Sequence, residues 1–403
     1  MQTHHQIVII GAGTAGIMVA AQLMRKNSNL DIAIIDPSEK HYYQPAWTLV
    51  GAGTYDLQKT IRSTESLIPA GVKWIKDPVT GLQPDDNTVS TQHSGTISYD
   101  YLVVAPGLVN DLSLIEGLQE AVDQGVVCSN YIDPEYTWKC LQEFKGGTAL
   151  FTQPATPIKC GGAPQKIMYL AADYLRKQGL DSRSKIIFAT PGAVIFGVKP
   201  IAATLTQVLN RYHIDFKPAH TPVKIDAANR IAYFRNNIQG VEGTEAIRFD
   251  LLHLAPPQTA PKFVKESILV NEAGWLDVDI NSLQHKRYGN IFGIGDVAAL
   301  PTAKTGAAIR KQAPVVVDNL LKLIKGLAAD NKSYEGYSSC PLVTGYGKMV
   351  LAEFNYKNEF TPDPKMKMML IADSSKEHWR LWILKKYILP YLYWNKMMKG
   401  EDV

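Results

Sequence analysis

The sequence predicts an α/β protein with two Rossmann-like, doubly wound domains of the dinucleotide-binding type, followed by a C-terminal membrane-attachment region. Three observations support this fold class. An apolar run enters a glycine-rich loop at residues 7–16, a second apolar run ends in a Gly-x-Gly-Asp motif at residues 288–296, and the C-terminal residues mix Met, Trp, Tyr and Lys. Alternating apolar strands and amphipathic helices between these features are typical of doubly wound sheets.

The glycine-rich loop follows the Gly-x-Gly-x-x-Gly pattern, with a strand before it and a helix predicted over residues 14–26. The first glycine permits the tight turn, the second lets a pyrophosphate approach the backbone, and the third lets the helix pack on the strand. Asp36 follows the next strand, about 20 residues later, where an acidic side chain meets the ribose hydroxyls. The loop therefore predicts a dinucleotide site. Its candidate residues are Gly11, Gly13, Thr14, Ala15, Gly16 and Asp36.

The motif at residues 288–296 predicts a strand that ends in Gly295 and Asp296, before a helix from about Thr305. It resembles the second flavin motif of the pyridine-nucleotide disulfide reductase-like superfamily, in which the aspartate binds the ribityl chain. The start of the following helix would stabilise negative charge on a reduced flavin. The alternative is a helix N-cap aspartate without a ligand. Because both motifs occur in the expected order, we expect FAD rather than NAD.

Other segments complete the predicted cofactor site. A strand over residues 99–107 ends in an Ala-Pro-Gly triplet, which resembles the triplet that returns the chain beneath the cofactor in flavoproteins, and a polar loop follows Asp36. Loops at the carboxyl ends of parallel strands carry function in such sheets. The further predicted cofactor-binding residues are Gln44, Val79, Ala105, Gly107, Gly295, Asp296 and Lys304.

The chain divides into three predicted regions. Residues 1–107 and 285–330 form a discontinuous FAD-binding domain, residues 108–284 a second Rossmann-like domain, and residues 331–403 a C-terminal region with Cys340 and an amphipathic membrane-attachment segment. In the second domain, bulky Val194, Ile195 and Phe196 stand where a nicotinamide dinucleotide needs backbone contact, so the NAD site is degenerate. Further predicted strands cover residues 74–79, 88–91, 147–152, 185–190 and 349–354, and helices cover 134–144 and 165–177.

Composition excludes several classes of protein. The chain has 403 residues, 46% of them hydrophobic, and a net charge of +4, which is too mild to indicate nucleic-acid binding. No apolar run reaches the roughly 20 residues of a membrane span, and the amino terminus shows no signal peptide. Four cysteines without such a signal argue against a disulfide scaffold. No Cys/His ligand set is present, so we predict no metal.

Two of the cysteines are candidates for redox chemistry. Cys160 precedes two glycines, Cys340 precedes a proline, and Lys159 beside Cys160 would favour its thiolate. A disulfide between them would relay electrons to a flavin. The alternative is two buried, small apolar side chains, and spacing alone does not decide between these interpretations. Cys128 and Cys140 are weaker candidates.

Longer stretches resemble the sulfide:quinone oxidoreductase family, especially its mitochondrial-type branch. They are residues 41–53 (HYYQPAWTLVGAG), 157–170 (PIKCGGAPQKIMYL), 339–346 (SCPLVTGY) and 389–395 (LPYLYWN), and the similarity extends over nearly the whole chain. The resemblance implies an FAD enzyme that oxidises hydrogen sulfide and passes two electrons to a membrane quinone. It also implies that Cys160 and Cys340 are bridged in the resting enzyme, that hydrosulfide leaves a persulfide on Cys340, and that Cys160 faces the flavin.

The resemblance further implies a small thiophilic sulfur acceptor, namely glutathione, sulfite, cyanide or more sulfide. Cys128 is either a flavin neighbour, as in bacterial type I enzymes, or a core residue, and we favour the core. The rival functions are a type II NADH:quinone oxidoreductase, a haem-partnered sulfide dehydrogenase and a non-catalytic flavin-binding redox sensor. The degenerate NAD site and the positions of Cys160 and Cys340 argue against the NADH enzyme, and the absence of a Cys-x-x-Cys-His motif from the sequence argues against the haem-partnered one. Sulfide oxidation is therefore favoured.

The tail at residues 379–399 has the composition of a helix that lies in a membrane interface, and Pro390 is expected to break it in two. The alternative is packing on the protein's own core or in a homo-oligomer. The resemblance favours monotopic attachment, and the lack of a transit peptide favours the cytoplasmic face of a bacterial inner membrane over the mitochondrial one. Phe354, Tyr391 and Trp394 are compositional candidates for a quinone channel.

Overall fold

The computed structural model describes residues 3–237, 243–328 and 333–402. Within these ranges the helices are α1 (Thr14–Lys26), α2 (Trp47–Val50), α3 (Leu118–Asp123), α4 (Pro134–Glu143), α5 (Ala163–Lys177), α6 (Lys199–Arg211), α7 (Lys262–Lys265), α8 (Gly306–Ile324), α9 (Trp379–Ile383) and α10 (Leu389–Asn395).

The strands in the same ranges are β1 (Thr3–Ile10), β2 (Ile32–Ile35), β3 (Lys40–Tyr42), β4 (Ile61–Ser63), β5 (Lys73–Ile75), β6 (Val79–Gln83), β7 (Thr88–Thr91), β8 (Thr96–Val104), β9 (Val109–Asn110), β10 (Val127–Cys128), β11 (Gly147–Thr152), β12 (Ser184–Ala189), β13 (Asp215–Lys217), β14 (His220–Asp226), β15 (Ile231–Asn236), β16 (Thr244–Arg248), β17 (Leu251–Leu254), β18 (Gln258–Thr259), β19 (Ile291–Gly293), β20 (Ser338–Gly345) and β21 (Lys348–Phe354).

The first sheet has the order β5-β2-β1-β8-β7-β6, and β19 also pairs with β8. Strands β1, β2, β8 and β19 are parallel, with Ile9 opposite Ile34 on one side and Val103 on the other. Both faces of β1 are buried, which explains its continuous apolar sequence. Since parallel strands end at one edge, the residues that follow β1, β2, β8 and β19 meet there.

The second sheet is parallel throughout, with the order β10-β17-β11-β12-β13. Strands β14, β15 and β16 form a separate antiparallel sheet. Helix α5 packs against β11, β12 and the hairpin β20–β21. The predicted α/β fold class is confirmed. The domain boundaries stay predictions, and the one at 330/331 lies outside the described residues.

Several predicted elements need correction. The strand predicted over residues 74–79 is two strands, because the Asp77 carboxylate turns the chain by accepting hydrogen bonds from the backbone N–H groups of His93 (3.0 Å) and Ser94 (2.6 Å). The strand predicted from residue 288 covers only β19. Helix α5 begins at Ala163, two residues earlier than predicted, since Pro164 is well placed in a first helical turn.

The tail is one continuous helical run over residues 379–395, so the expected break at Pro390 is wrong. A π-helical turn, Leu384–Ile388, joins α9 to α10, and the Leu389 N–H bonds to the Leu384 carbonyl. The wider turn accommodates a residue without an N–H and keeps Ile388 and Leu389 in helical conformation. In the described part of the chain, no helix combines the length and apolar character needed to cross a bilayer.

Candidate active site

The glycine-rich loop has the shape of a phosphate cradle. Gly11 has φ +98°, and a Cβ there would lie 2.4 Å from the Ala105 carbonyl oxygen. A Cβ on Gly16 would lie 1.9 Å from the Gly11 oxygen, whereas one on Gly13 would meet nothing within 4 Å. Two glycines are therefore required by the backbone packing, and the third leaves open space in front of the loop. This loop fits a dinucleotide.

Asp36 holds the same loop from behind. Its Oδ2 accepts a hydrogen bond from the Ala12 N–H (2.7 Å), and its Oδ1 accepts one from the Ser38 N–H (2.7 Å). Burial raises the pKa of Asp36, and these two backbone donors oppose that shift. The carboxylate thus fixes the Ala12 peptide as well as standing at the predicted ribose position.

A cavity of about 910 Å³ extends from this loop to the C-terminal helices. Ten predicted cofactor residues line it: Gly13, Thr14, Ala15, Asp36, Gln44, Ala105, Gly107, Gly295, Asp296 and Lys304. Gly11 and Gly16 lie in the adjoining loop. Val79 begins β6 and packs in another apolar cluster, outside the cavity lining. The roles of all these residues stay predictions.

The second motif is held by its own polar contacts. The Gly295 N–H donates to Gln312 Oε1 (3.0 Å), and the Lys304 ammonium donates to the backbone oxygens of Asp296 (2.5 Å) and Ala298 (3.2 Å). Burial lowers the pKa of Lys304 to about 8, although the Asp296 carboxylate opposes this shift. Burial also raises the pKa of Asp296.

The structure brings Cys160 and Cys340 together as hydrogen-bonded thiols. The hydrogen bond to Cys340 lowers the pKa of Cys160 well below its ordinary value, despite burial, and nearby lysine charges add to the effect. The same hydrogen bond, together with burial, raises the pKa of Cys340. Cys160 is thus the thiolate of the pair, and Cys340 is the neutral donor.

The backbone of Cys160 is strained and firmly held. Its φ of +52° lies in the left-handed region that non-glycine residues seldom adopt. Its N–H donates to the Lys304 carbonyl (2.7 Å), and its own carbonyl accepts from the Tyr131 hydroxyl (3.2 Å) and the Ala163 N–H (2.7 Å). Lys304 therefore links the predicted flavin motif to the sulfur site.

Two buried lysines flank the sulfur atoms, and sequence reasoning missed both. The Lys166 ammonium donates to Cys160 Sγ (3.1 Å). Burial acts to lower the pKa of Lys166, but its interactions with the two cysteines, above all Cys160, outweigh burial and raise the pKa. The Lys385 amine donates to the Pro45 carbonyl (2.7 Å), and burial, with repulsion from Lys166, lowers its pKa to about 7. Lys159, the expected neighbour, lies over the Trp47 ring (6.0 Å) and acts on Cys160 only through its charge.

The signals for these lysines differ. Lys166 lies in the first turn of α5, the helix that begins just after Cys160, so the sequence itself places it close to that cysteine. Lys385 comes from the π-helical turn of the tail, and no local pattern connects it with the cysteines.

The other two cysteines form a separate pair. Cys128 is buried, its Sγ lies 3.4 Å from the Leu252 carbonyl oxygen, and it is hydrogen-bonded to Cys140. That hydrogen bond lowers the pKa of Cys140 to about 7. Neither cysteine lines the cavity, and the position of Cys128 fits the core interpretation.

The C-terminal end of the cavity is lined by apolar side chains together with the charged residues Lys385, Lys396, Glu401 and Asp402. Phe354, Tyr391 and Trp394, the compositional candidates for a quinone channel, are not among its lining residues. The apolar side chains that line this end are Leu351, Leu384, Ile388, Leu389, Leu392 and Met397.

Comparison with known proteins agrees with these features. Residues 5–139 match the family model of pyridine nucleotide-disulphide oxidoreductases. The mitochondrial sulfide:quinone oxidoreductase of Mus musculus is 43% identical over 99% of this chain and 87% of its own length. The one of Dictyostelium discoideum is 41% identical over 98% of this chain and 86% of its own length.

A solved structure shows the same fold. The sulfide:quinone oxidoreductase of Aquifex aeolicus superposes with a TM-score of 0.81 at 20% identity, covering 99% of this chain and 92% of that chain. The two curated relatives above are named as mitochondrial proteins, so the expectation of a bacterial inner membrane finds no support in them. Identity above 40% over nearly the whole length decides the family: this chain belongs to the sulfide:quinone oxidoreductases.

Proposed function

We propose that Cys160 and Cys340 are the redox pair through which this enzyme oxidises sulfide. As a sulfide:quinone oxidoreductase, the chain is an FAD-dependent flavoprotein that takes electrons from hydrogen sulfide and delivers them to a quinone. The observation that carries the residue assignment is the hydrogen bond between the two thiols: Cys160 and Lys166 line the cavity that the predicted cofactor residues also line, and Cys340 is buried directly behind them. Because the similarity to this family extends over nearly the full length of the chain, we do not retain the NADH:quinone oxidoreductase, the haem-partnered dehydrogenase or the redox sensor as functions.

The arrangement suits disulfide opening by hydrosulfide. Attack on Cys340 of the oxidised pair forms a new S–S bond, leaving a persulfide on Cys340, and the old bond breaks with its electron pair on Cys160. A thiol of low pKa is the better leaving group, and Cys160 has the lower pKa of the two. The Lys166 ammonium stabilises the resulting thiolate. When bound, FAD supplies the two-electron acceptor that connects the sulfur chemistry with the quinone.

The persulfide on Cys340 must lose its outer sulfur before the disulfide can form again. The acceptor we propose is a small thiophile: glutathione, sulfite, cyanide or a second sulfide. Cys340 is only 3% exposed, and the neighbouring Ser339 and Pro341 line the cavity, which favours a small acceptor over a protein. Mass spectrometry of the product formed with each acceptor would identify it, and persulfide release to none of them would contradict the proposal.

Serine variants test the redox pair. Cys160→Ser and Cys340→Ser should each lower sulfide-dependent quinone reduction by at least about 100-fold, because neither can form or open the disulfide. Cys140→Ser, a half-buried cysteine outside the cavity lining, is the matched control and should keep activity. Flavin reduction by sulfide, followed by visible absorbance, separates this step from quinone reduction. Full flavin reduction in either active-site variant would refute the assignment.

Peripheral membrane attachment through the tail is the second part of the proposal. Trp379, Ile383, Tyr387 and Tyr391 recur every four residues on the helical run and are 60%, 37%, 58% and 58% exposed. The opposite face packs in the protein core. An exposed aromatic and aliphatic stripe flanked by lysines is typical of a helix that lies in a bilayer interface. Ile388 and Leu389, which line the C-terminal end of the cavity, adjoin this stripe, and their apolar side chains suit entry of a quinone from lipid.

Vesicle flotation measures the attachment. Replacing Ile383 and Tyr387 together by Asp should lower binding to phospholipid vesicles about tenfold or more, since both charges would enter the apolar layer. Ile268→Asp, at a site 53% exposed and away from the tail, should leave flotation unchanged. Equal flotation of the double variant and the control would exclude the stripe as the membrane-binding surface.

A further inference from the structure

The buried face of α10 contacts the glycine-rich loop directly. Tyr393 is 5% exposed, and its hydroxyl lies 2.7 Å from Thr14 Oγ1 and 2.5 Å from His41 Nε2. The other ring nitrogen of His41, Nδ1, lies 3.0 Å from the Ala12 carbonyl oxygen. A residue from the end of the chain is therefore hydrogen-bonded, directly and through His41, to both Ala12 and Thr14 of the loop.

The donors and acceptors of this network can be assigned. A carbonyl only accepts, so His41 Nδ1 carries the proton that bonds to Ala12. Burial lowers the pKa of His41, so the ring is neutral and its Nε2 accepts. The Tyr393 hydroxyl then donates to His41, and the Thr14 hydroxyl donates to Tyr393. The Thr14 hydroxyl proton is thus engaged by Tyr393.

The loop is consequently fixed on both sides. The Ala12 N–H donates to the Asp36 carboxylate (2.7 Å), and the Ala12 carbonyl accepts from His41. The Thr14 hydroxyl, two residues further on, is hydrogen-bonded to Tyr393. Gly13, between them, has open space before it. Rings on three sides hold Tyr393 itself: those of Tyr43 (4.6 Å), Trp394 (4.9 Å) and His41 (5.9 Å).

We propose that Tyr393 is a positioning residue for the cofactor, acting through His41 and Thr14 to hold the phosphate-binding loop in its binding shape. The C-terminal run then has two functions on two faces, a lipid-facing stripe and a clamp on the dinucleotide loop. A loop held in its bound conformation loses less entropy when the ligand binds, so the clamp strengthens FAD binding by pre-organising the loop. This inference rests on the proposed assignment of residues 11–16 as the cofactor loop.

The test measures FAD retention by the purified holoenzyme. Tyr393→Phe removes one hydroxyl and keeps the ring packing, and the matched control Tyr356→Phe removes a hydroxyl that donates to the Ile280 carbonyl (2.7 Å), outside the cavity lining. Release is followed by the fluorescence of free FAD after dilution, well below the unfolding temperature. We expect roughly tenfold faster release or weaker binding for Tyr393→Phe, the size expected for one lost buried hydrogen bond that couples to a second. Tyr356→Phe should match the wild type.

A double-mutant cycle separates positioning from general stability. If Tyr393 acts through Thr14, the FAD dissociation constants of Tyr393→Phe and Thr14→Val will not combine additively. A purely structural role would lower the unfolding temperature of the apoprotein and leave the dissociation constant unchanged, which would overturn the proposal, as would equal release from both tyrosine variants. If the wild type bound no FAD, the proposed function itself would fail, a result distinct from failure of the clamp.

Discussion

At the scale of single residues, the position of the sulfur pair depends on the missing side chain of Gly162. A Cβ there would lie 2.5 Å from Cys340 Sγ and 2.7 Å from a Leu342 methyl carbon. Gly162 has an ordinary helical conformation, so alanine meets no backbone strain there. The glycine is needed for the space that it leaves to the sulfur.

Gly162→Ala should therefore displace Cys340 and slow flavin reduction by sulfide by about tenfold or more, with FAD still bound. Stopped-flow absorbance measures the rate, and the flavin-to-protein ratio reports retention. Gly161→Ala is the control, because a Cβ there meets nothing within 4 Å. Equal rates for the two variants would show that the site tolerates the added carbon.

Lys166 and Lys385 are both buried beside the two sulfur atoms, but they differ in how strongly they bind a proton. Lys166 keeps its proton because the Cys160 thiolate pairs with it, whereas burial and Lys166 lower the pKa of Lys385 to about 7. The unfolded chain, with an ordinary lysine pKa near 10.4, binds the proton more strongly between these values. Protonated Lys385 therefore lowers the free energy of unfolding at low pH, and the free energy of unfolding rises again as the pH goes from about 7 to about 10.

Lys385→Met should remove this pH dependence. The free energy of unfolding of the variant, relative to the wild type, should fall by about 1.4 kcal/mol per pH unit between pH 7 and 10, as expected for one proton. Urea denaturation at several pH values measures it. A difference that stays constant across this range would show that Lys385 is not neutral in the folded enzyme.

At the scale of elements, the tail docks on α1 through a close backbone contact. Gly400 has φ +71°, and a Cβ there would lie 2.7 Å from the backbone of Ala21 and Gln22. Met397 and Met398 are buried in the same cluster as α1 and α8. The end of the chain is thus packed against the helix that follows the glycine-rich loop.

Gly400→Ala should loosen this contact and expose the tail to protease. We expect faster cleavage after residue 395 in limited proteolysis, read by mass spectrometry, and a loss of about 2 kcal/mol or more in stability. Gly326→Ala shares the positive φ (+72°) but has open space around its Cβ, so it isolates the backbone cost from the clash. Identical cleavage of the two variants would argue against tight docking.

The elements also show how far sequence reasoning reaches. Helix α1 has its predicted bounds, Thr14–Lys26, because the glycines before it and the apolar periodicity within it all favour one structure. The pairing of Cys160 with Cys340 came from family resemblance, since spacing carries no information on contacts between distant segments. Lys385 and the continuous helix at Pro390 were not predictable, because both depend on a π-helical turn stabilised by tertiary packing.

At the scale of the whole molecule, an ion pair joins helix α6 to the residues just before the tail. Arg211, at the end of α6, donates two hydrogen bonds to the Glu377 carboxylate (2.6 and 2.8 Å). Burial acts to raise the pKa of Glu377, but the hydrogen bonds from Arg211 and Thr344 outweigh it and leave the pKa lowered. The stabilisation is therefore present above the unfolded pKa and is lost as pH falls through the folded pKa.

Glu377→Gln should cost about 1–3 kcal/mol of unfolding free energy at pH 7, and this difference should shrink as the pH falls below about 4. Chemical denaturation at pH 7 and at acid pH measures both values. Glu266→Gln breaks the exposed pair with Lys262 and should change stability little at either pH. A Glu377→Gln cost that does not depend on pH would rule out the charge as its origin.

The carbonyl of Lys304 accepts the Cys160 N–H, while its ammonium holds the backbone of Asp296 and Ala298. Lys304 thus connects the backbone of Cys160 with the segment that carries the predicted flavin-binding residue Asp296. Transplanting this dithiol onto another flavoprotein scaffold would require residues 296–305 as well as the two cysteines, because the position of the Cys160 backbone depends on its hydrogen bond to Lys304.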